Sequence, residues 1–240
     1  MPKLRLDRFL SNQTPLSRTE AIREIKRGNV TVDGVIQKQP SFCLETEKQT
    51  VMLSGKEITY KEHIYLVMNK PKGVVCAARD KLSKTVLDII PEKYHRKDLS
   101  TVGRLDKDTT GLLILTDDGD FAHKCISPKK MVPKKYIVTL DNSITDDDIA
   151  AFSDGITLAD GTNCMPATLK RLNDRQAEVT IFEGKYHQIK RMFGVRNLGV
   201  NALRRVSIGL LNLPEKLPLG EVIEVNFDEL AEKTINFSQN

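Results

Sequence analysis

The chain has no apolar run approaching the roughly 20 residues that cross a bilayer; its longest are only a few residues. Its first residues, Met1-Pro2-Lys3-Leu4-Arg5, lack the apolar stretch of a secretory signal. Cys43, Cys76, Cys125 and Cys164 lie far apart with no CxxC pair. That spacing argues against a disulfide framework or zinc site and for reduced thiols in a cytoplasmic protein. The histidines, His63, His95, His123 and His187, are equally scattered, so metal catalysis has no support. No internal repeat, low-complexity tract or cofactor motif is present. What remains is an ordinary globular composition, 29% charged and 40% hydrophobic, and a length of 240 residues suited to one large or two smaller domains.

Acid is also missing from two particular stretches. From His123 to Tyr136 stand Lys124, Lys129, Lys130, Lys134 and Lys135 with no carboxylate among them. From Gly184 to Arg205 stand Lys185, Lys190, Arg191, Arg196, Arg204 and Arg205, again with none. The net charge of +5 is modest, but such clusters are the usual electrostatic basis of RNA affinity. A solvated basic face is the alternative for either stretch taken alone.

The pattern changes near residue 60. Leu6–Leu10 predicts a short amphipathic helix. Ser17-Arg18-Thr19-Glu20 has capping-box spacing and opens a second helix, with Ala21, Ile22 and Ile25 on one face and Gly28 at its end. Val30–Val32 alternates as a strand, and Asp33-Gly34 signals a tight hairpin into Val35-Ile36. Residues 1–30 carry seven basic and three acidic side chains. The wording LDRFL…SRTEAIREIKRGNVTVDG resembles the S4 RNA-binding domain. The resemblance implies that Arg5, Arg8, Arg18, Lys26 and Arg27 face a folded RNA. Domains are expected at 1–60 and 61–240, with the polar stretch 45–63 as linker and hinge around a weak strand at Val51–Leu53.

Beyond it, short strands alternate with helices. Ile64–Met68 reads as a strand ending at the turn Asn69-Lys70-Pro71-Lys72-Gly73, with Val74–Cys76 returning. Helices are expected at Asp118–Ile126, Asp146–Phe152 and from His187 to Phe193, and strands at Tyr136–Leu140 and Ala177–Phe182. This is an α/β (α+β) pattern: a small αα-β module, then a mixed, largely antiparallel sheet flanked by helices.

Within it, residues 103–120 read GRLDKDTTGLLILTDDGD. Asp106 falls on a polar turn between the apolar approach Thr101-Val102 and the run Leu112–Leu115, preceded by Arg104. A turn mounted on buried strands is a common place for catalytic groups, although a carboxylate there can equally cap the turn or form a salt bridge. Around it, in order, stand NKPKG at 69–73, Lys135-Tyr136-Ile137-Val138, and EGKYHQIKRM at 183–192. Together these resemble the pseudouridine synthases, in the RsuA-type branch that acts on ribosomal RNA; with the S4-like segment the likeness covers about 4–225.

That resemblance implies a sheet with the active-site cleft across its middle, Asp106 as nucleophile, Lys190 as its cationic partner, and Tyr136 facing it as a stacking platform. It implies that Arg104 fills the space a flipped uridine leaves and that Arg191 meets RNA; Ile189 and Met192 are expected to wall the uracil. An ion pair with Asp108 is the alternative for Arg104; core packing is the alternative for Tyr136, Ile189 and Met192, and a surface lysine on a basic helix the alternative for Lys190. The implied reaction breaks the N1–C1′ glycosidic bond and rejoins the uracil through C5, with no redox change and no cofactor. Attack at C1′, attack at C6 and assisted elimination all remain open. A buried nucleophile must stay ionised against desolvation, which a nearby cation favours. Asp108–Gly111, Thr116–Gly119, Ser127-Pro128 and the lack of a long basic tail after Phe227 resemble the small-subunit type within the branch, which implies 16S RNA as substrate. Whether that RNA is free or in a partly assembled small-subunit particle is left open, and a monomer is expected. Lys185 stands where the family has arginine. Action on 23S RNA is one alternative, and a non-catalytic rRNA-binding assembly factor another.

Overall fold

The computed structural model describes residues 3–236. The chain divides into two compact units, Met1–Ile64 with Ile90–Leu99, and Tyr65–Ile89 with Ser100–Asn240. Among the described residues no helix is long and apolar enough to cross a membrane.

The first unit runs β1 (Lys3–Arg5), α1 (Leu6–Gln13), α2 (Arg18–Arg27), β2 (Val30–Val32), β3 (Val35–Ile36), β4 (Cys43–Glu45), β5 (Val51–Leu53) and β6 (Lys56–Ile58). The expected capping box starts α2: Glu20 N–H donates to the Ser17 hydroxyl and Ser17 N–H to the Glu20 carboxylate. Gly28, at φ 83°, ends the helix in the left-handed region that a residue without Cβ enters cheaply. Leu6, Phe9 and Leu10 from α1 meet Ala21 and Ile25 from α2 in a core closed by Val30, Leu44 and Val51. Asp33 and Gly34 both take positive φ, as the hairpin between β2 and β3 requires.

The stretch expected to be a linker is instead structure. β5 pairs with β2, and β6 with β5, completing a sheet of order β3-β2-β5-β6. The alternation is hard to see in the sequence because these strands are three residues each and β6 carries charge on its open side. Residues 90–99 also belong here: the Arg96 guanidinium donates to the Asn12 and Lys61 carbonyls at 2.8 and 2.7 Å.

The second unit runs β7 (Tyr65–Lys70), β8 (Ser100–Thr101), β9 (Thr110–Thr116), α3 (Gly119–Ile126), β10 (Lys134–Leu140), α4 (Asp146–Asp154), β11 (Thr168–Asn173), β12 (Gln176–Ile181), α5 (Gln188–Val195), β13 (Val200–Ile208), β14 (Leu211–Asn212), β15 (Val222–Glu224) and α6 (Phe227–Thr234). Its sheet has the order β11-β12-β10-β13-β9-β7-β15, with β14 beside β13 and β8 beside β9. Every pairing is antiparallel except β13 with β9. The mixed, largely antiparallel sheet is therefore as expected, but the return strand at Val74–Cys76 is not. Val75 makes a single bridge to Thr85, and β7 is flanked by β9 and β15.

The parallel junction lies directly after the turn that carries Asp106. There Gly111 faces Arg205 across the ladder, and any Cβ at Gly111 would run into the Arg205 carbonyl. With φ at 102°, the position is closed to other residues on two grounds. Val67, Leu112 and Ile114 form one face of the core with Phe121 and Cys125 of α3 and Leu230 of α6. The sheet middle is thus closely packed where the Asp106 turn leaves it.

Candidate active site

The sequence places Asp106 on the turn between β8 and β9, and the structure explains what holds that turn. Lys70, at the end of β7, is completely buried. Its ammonium donates to the carbonyls of Thr109 at 2.9 Å, Asp106 at 3.1 Å and Pro71 at 3.1 Å, with Lys107 at 3.5 Å. Burial pulls the Lys70 pKa below that of an ordinary lysine, with nearby Cys76, Asp108 and Asp106 opposing the shift. Gly73 N–H reaches the Lys107 carbonyl at 2.8 Å, and Leu105 N–H reaches the Cys76 sulfur at 3.4 Å. The NKPKG segment is therefore a clamp on the backbone of the Asp106 turn. In the sequence its Pro and Gly stand out as turn punctuation and Lys70 does not, because a lysine in a polar turn gives no sign that it will be buried.

Lys190, on α5, closes the site from the other side. Its ammonium lies 3.2 Å from Asp106 and 2.6 Å from Asp108. Burial acts to lower the Lys190 pKa, but hydrogen bonds to Asp108 and Asp106 outweigh it, so the ammonium is held above its usual range. The Asp108 carboxyl is correspondingly lowered, chiefly by the Lys190 hydrogen bond and against desolvation. Asp108 is thus tied to Lys190 rather than to Arg104, which is exposed. His187 is an addition to which the sequence assigns no role: its Nε2 stands 3.4 Å from Asp106 Oδ1.

The motif around Lys190 is braced internally. The buried Glu183 carboxylate accepts from Met165 N–H and from the Gln188 amide, both at 2.9 Å, and pairs with Lys185 at 2.7 Å. Gln188 in turn accepts from Lys185 N–H at 2.9 Å. His187, at φ 49°, turns the chain into α5 so that Ile189 and Lys190 follow in its first turn.

These groups surround a cavity of about 80 Å³ whose lining includes Asp106, Tyr136, Ile189, Lys190 and Leu203, with Arg104 at its edge. Tyr136 reaches it from β10 and is largely buried. Met192 does not line it: the side chain is fully buried, and its sulfur accepts from the Gln188 amide at 3.7 Å. The i+3 spacing from Ile189 puts both residues on one helix face, but that face dips into the core before Met192.

The basic stretch 184–205 is likewise not a free cationic face. Lys185, Lys190, Arg191 and Arg196 pair with Glu183, Asp106 and Asp108, Asp160, and Asp148. Arg205 is buried, its Nε donating to the Leu112 carbonyl at 2.7 Å, which leaves Arg204 as the exposed member. Carboxylates distant in sequence supply what the stretch itself lacks. In the first unit Arg5 and Arg18 converge on the buried Asp7 at 2.9 and 3.1 Å, and Arg27 pairs with Glu24 at 3.0 Å. Arg8 and Lys26 are exposed.

A sheet crossed by an anion–cation pair in a small pocket, joined in one chain to a helix–helix–hairpin module, defines a class, and comparison with known proteins gives it a family. The family model described as RNA pseudouridylate synthase matches residues 64–194, and the S4 domain model matches residues 4–49. The chain belongs to the RNA pseudouridylate synthase family. It is 41% identical over 229 residues to ribosomal small subunit pseudouridine synthase A of Vibrio cholerae serotype O1, covering 95% of this chain and 98% of that one. It is 39% identical over 231 residues to the RNA pseudouridine synthase YtzG of Bacillus subtilis, covering 95% and 97%. A crystal structure of a pseudouridylate synthase, 36% identical, aligns with a TM-score of 0.66 over 96% of this chain and 99% of that one.

Proposed function

We propose that the chain converts a uridine of 16S ribosomal RNA to pseudouridine, with Asp106 as nucleophile and the target base flipped out of its stack. The observation that carries this reading is the cavity in which the Asp106 carboxylate meets Lys190 at 3.2 Å beside Tyr136 and Ile189. A base cannot be attacked inside a helix, so it must leave its stack and find aromatic and apolar walls in the enzyme. Tyr136 and Ile189 supply such walls, and Arg104, exposed at the rim, is placed to fill the space left in the RNA.

In the reaction the N1–C1′ bond breaks, the uracil turns, C5 bonds to C1′, the C5 proton leaves and N1 gains one. Atoms and electrons balance with no outside reagent. Lys190 pairs with the Asp106 carboxylate at 3.2 Å and orients it, and attack at C1′ or at C6 would each divide one difficult step into two. The choice of the small-subunit RNA rests on the likeness to an enzyme named for that subunit. With it goes a cytoplasmic monomer that meets its RNA free or in a partly assembled particle, gripped by the S4 module.

The test is tritium release from RNA labelled at uracil C5, using 16S and 23S transcripts with and without ribosomal proteins. Wild type is expected to release tritium from 16S RNA, and Asp106→Asn to release none while binding RNA within about threefold of wild type, because an amide keeps the carboxylate's shape but not its nucleophilicity. Release by Asp106→Asn at the wild-type rate would sink the assignment of the nucleophile. Release only from 23S would overturn the substrate, and tight binding without release from any RNA would favour an assembly factor.

A further inference from the structure

The small cavity opens beside a much larger one, of about 900 Å³, that shares Arg104, Leu105, Asp106, Gly184, Lys185 and His187 with it. One wall of this second cleft carries Tyr186, which is 70% exposed. A tyrosine that open to water, in a chain where aromatics are only 5% of residues, contributes little to the core. Nor is it loosely held. Its ring lies on the His187 imidazole with centroids 3.9 Å apart and planes inclined by 21°.

Both partners are tied down. His187 is fixed by its left-handed backbone, which it can adopt more readily than most residues, and by its approach to Asp106. The Tyr186 backbone is held by its carbonyl, which accepts from Arg191 at 3.3 Å with Arg191 itself anchored to Asp160, and its ring by the stack on His187. The result is an aromatic face, already ordered, reached through one residue from the Asp106 carboxylate. The cations Lys107 and Arg104 stand in the same cleft. Pre-ordering matters because a stacking surface that has to be organised on binding loses part of its affinity to that ordering. A rigid π-face flanked by cations is the usual recognition surface for an unpaired nucleotide, the ring taking the base and the cations the phosphate.

We infer that Tyr186 is a second stacking platform, which receives the unpaired nucleotide directly adjacent to the target uridine while the target occupies the smaller cavity. This deepens the proposed function and rests on it. It makes Tyr186 a determinant of which uridines are accepted: those whose neighbour can be unstacked together with them.

The test uses the full-length enzyme and the shortest rRNA fragment that wild type modifies, intact or with an abasic nucleotide on the 5′ or 3′ side of the target. Because Tyr186 is exposed, its replacement leaves the core untouched. Tyr186→Ala is expected to lower kcat/KM on intact RNA roughly ten- to a hundredfold, the range for removal of one base–aromatic stack, with Tyr186→Phe within about twofold of wild type. On the fragment lacking the stacked base, wild type slows to the same level and Tyr186→Ala slows no further. Equal decreases on intact and abasic RNA, or no decrease on either, would overturn the platform while wild-type turnover upholds the function. No turnover of any RNA by wild type would overturn both.

Discussion

The two units use the same charges in opposite ways. In the first, one buried carboxylate, Asp7, gathers two exposed guanidiniums, Arg5 and Arg18. In the second, one partly buried ammonium, Lys190, gathers two carboxylates, Asp106 and Asp108, over a turn that a fully buried lysine clamps from below. An anion held inside leaves cations facing water, where phosphates can reach them. In the second cluster Lys190 and Asp106 are about equally exposed, 25% and 28% of their side chains, and both line the small cavity.

The largest effect that tests this contrast falls on Lys190. Lys190→Met should lower kcat on the order of a hundredfold or more, comparable with removal of a fixed electrostatic partner elsewhere, with Lys190→Arg recovering part of it. RNA affinity should move far less, measured by filter binding at one salt concentration. A Lys190→Met enzyme with wild-type kcat would break the comparison on the catalytic side.

A smaller, differently signed effect belongs to the first unit. Replacing Arg18, Lys26 and Arg27 with glutamine should weaken rRNA binding and flatten its dependence on salt, by up to about 0.7–0.9 in log–log slope for each phosphate no longer neutralised. Turnover at saturating RNA should hold. Lys26 should matter most of the three, since Arg18 and Arg27 are already paired with Asp7 and Glu24. An unchanged slope would remove these residues from the interface and leave Arg8 and the second unit to carry it.

The smallest effect sharpens the role of Asp7. Its carboxyl is held below the usual range, first by the Arg5 hydrogen bond and then by Arg18, against the opposing effect of burial. A lowered folded-state pKa means that the pair stabilises the fold above the unfolded value near 3.8 and ceases to as pH falls through the lower, folded one. Asp7→Asn should therefore cost about 1.5–3 kcal/mol near neutral pH, the range for hydrogen bonds to charged groups, and the gap to wild type should close in acid. Denaturant melts of both proteins across that range would read it; a gap that stays constant would mean that the charge of Asp7 is not what matters.

Much of this is legible in the chain. The capping box at Ser17, the hairpin at Asp33-Gly34, the strand Leu112–Leu115 and the helices opening at Asp118 and His187 are short-range features, set by residues within a few positions of one another. β13 and α6 are not. β13 carries Arg204 and Arg205 in mid-strand, so its sequence reads as part of a basic cluster, and only the ladder shows Arg205 buried against β9. Local period and capping chemistry are properties of the sequence itself, and so is the order of motifs that leads to Asp106, Tyr136 and Lys190. Which charges are spent and which are free is not, because a carboxylate such as Asp148, Asp160 or Glu183 pairs with whatever cation the fold brings within reach. The burial of Lys70 under the Asp106 turn and the exposure of Tyr186 above it are decided the same way, by the packing of segments far apart in the chain.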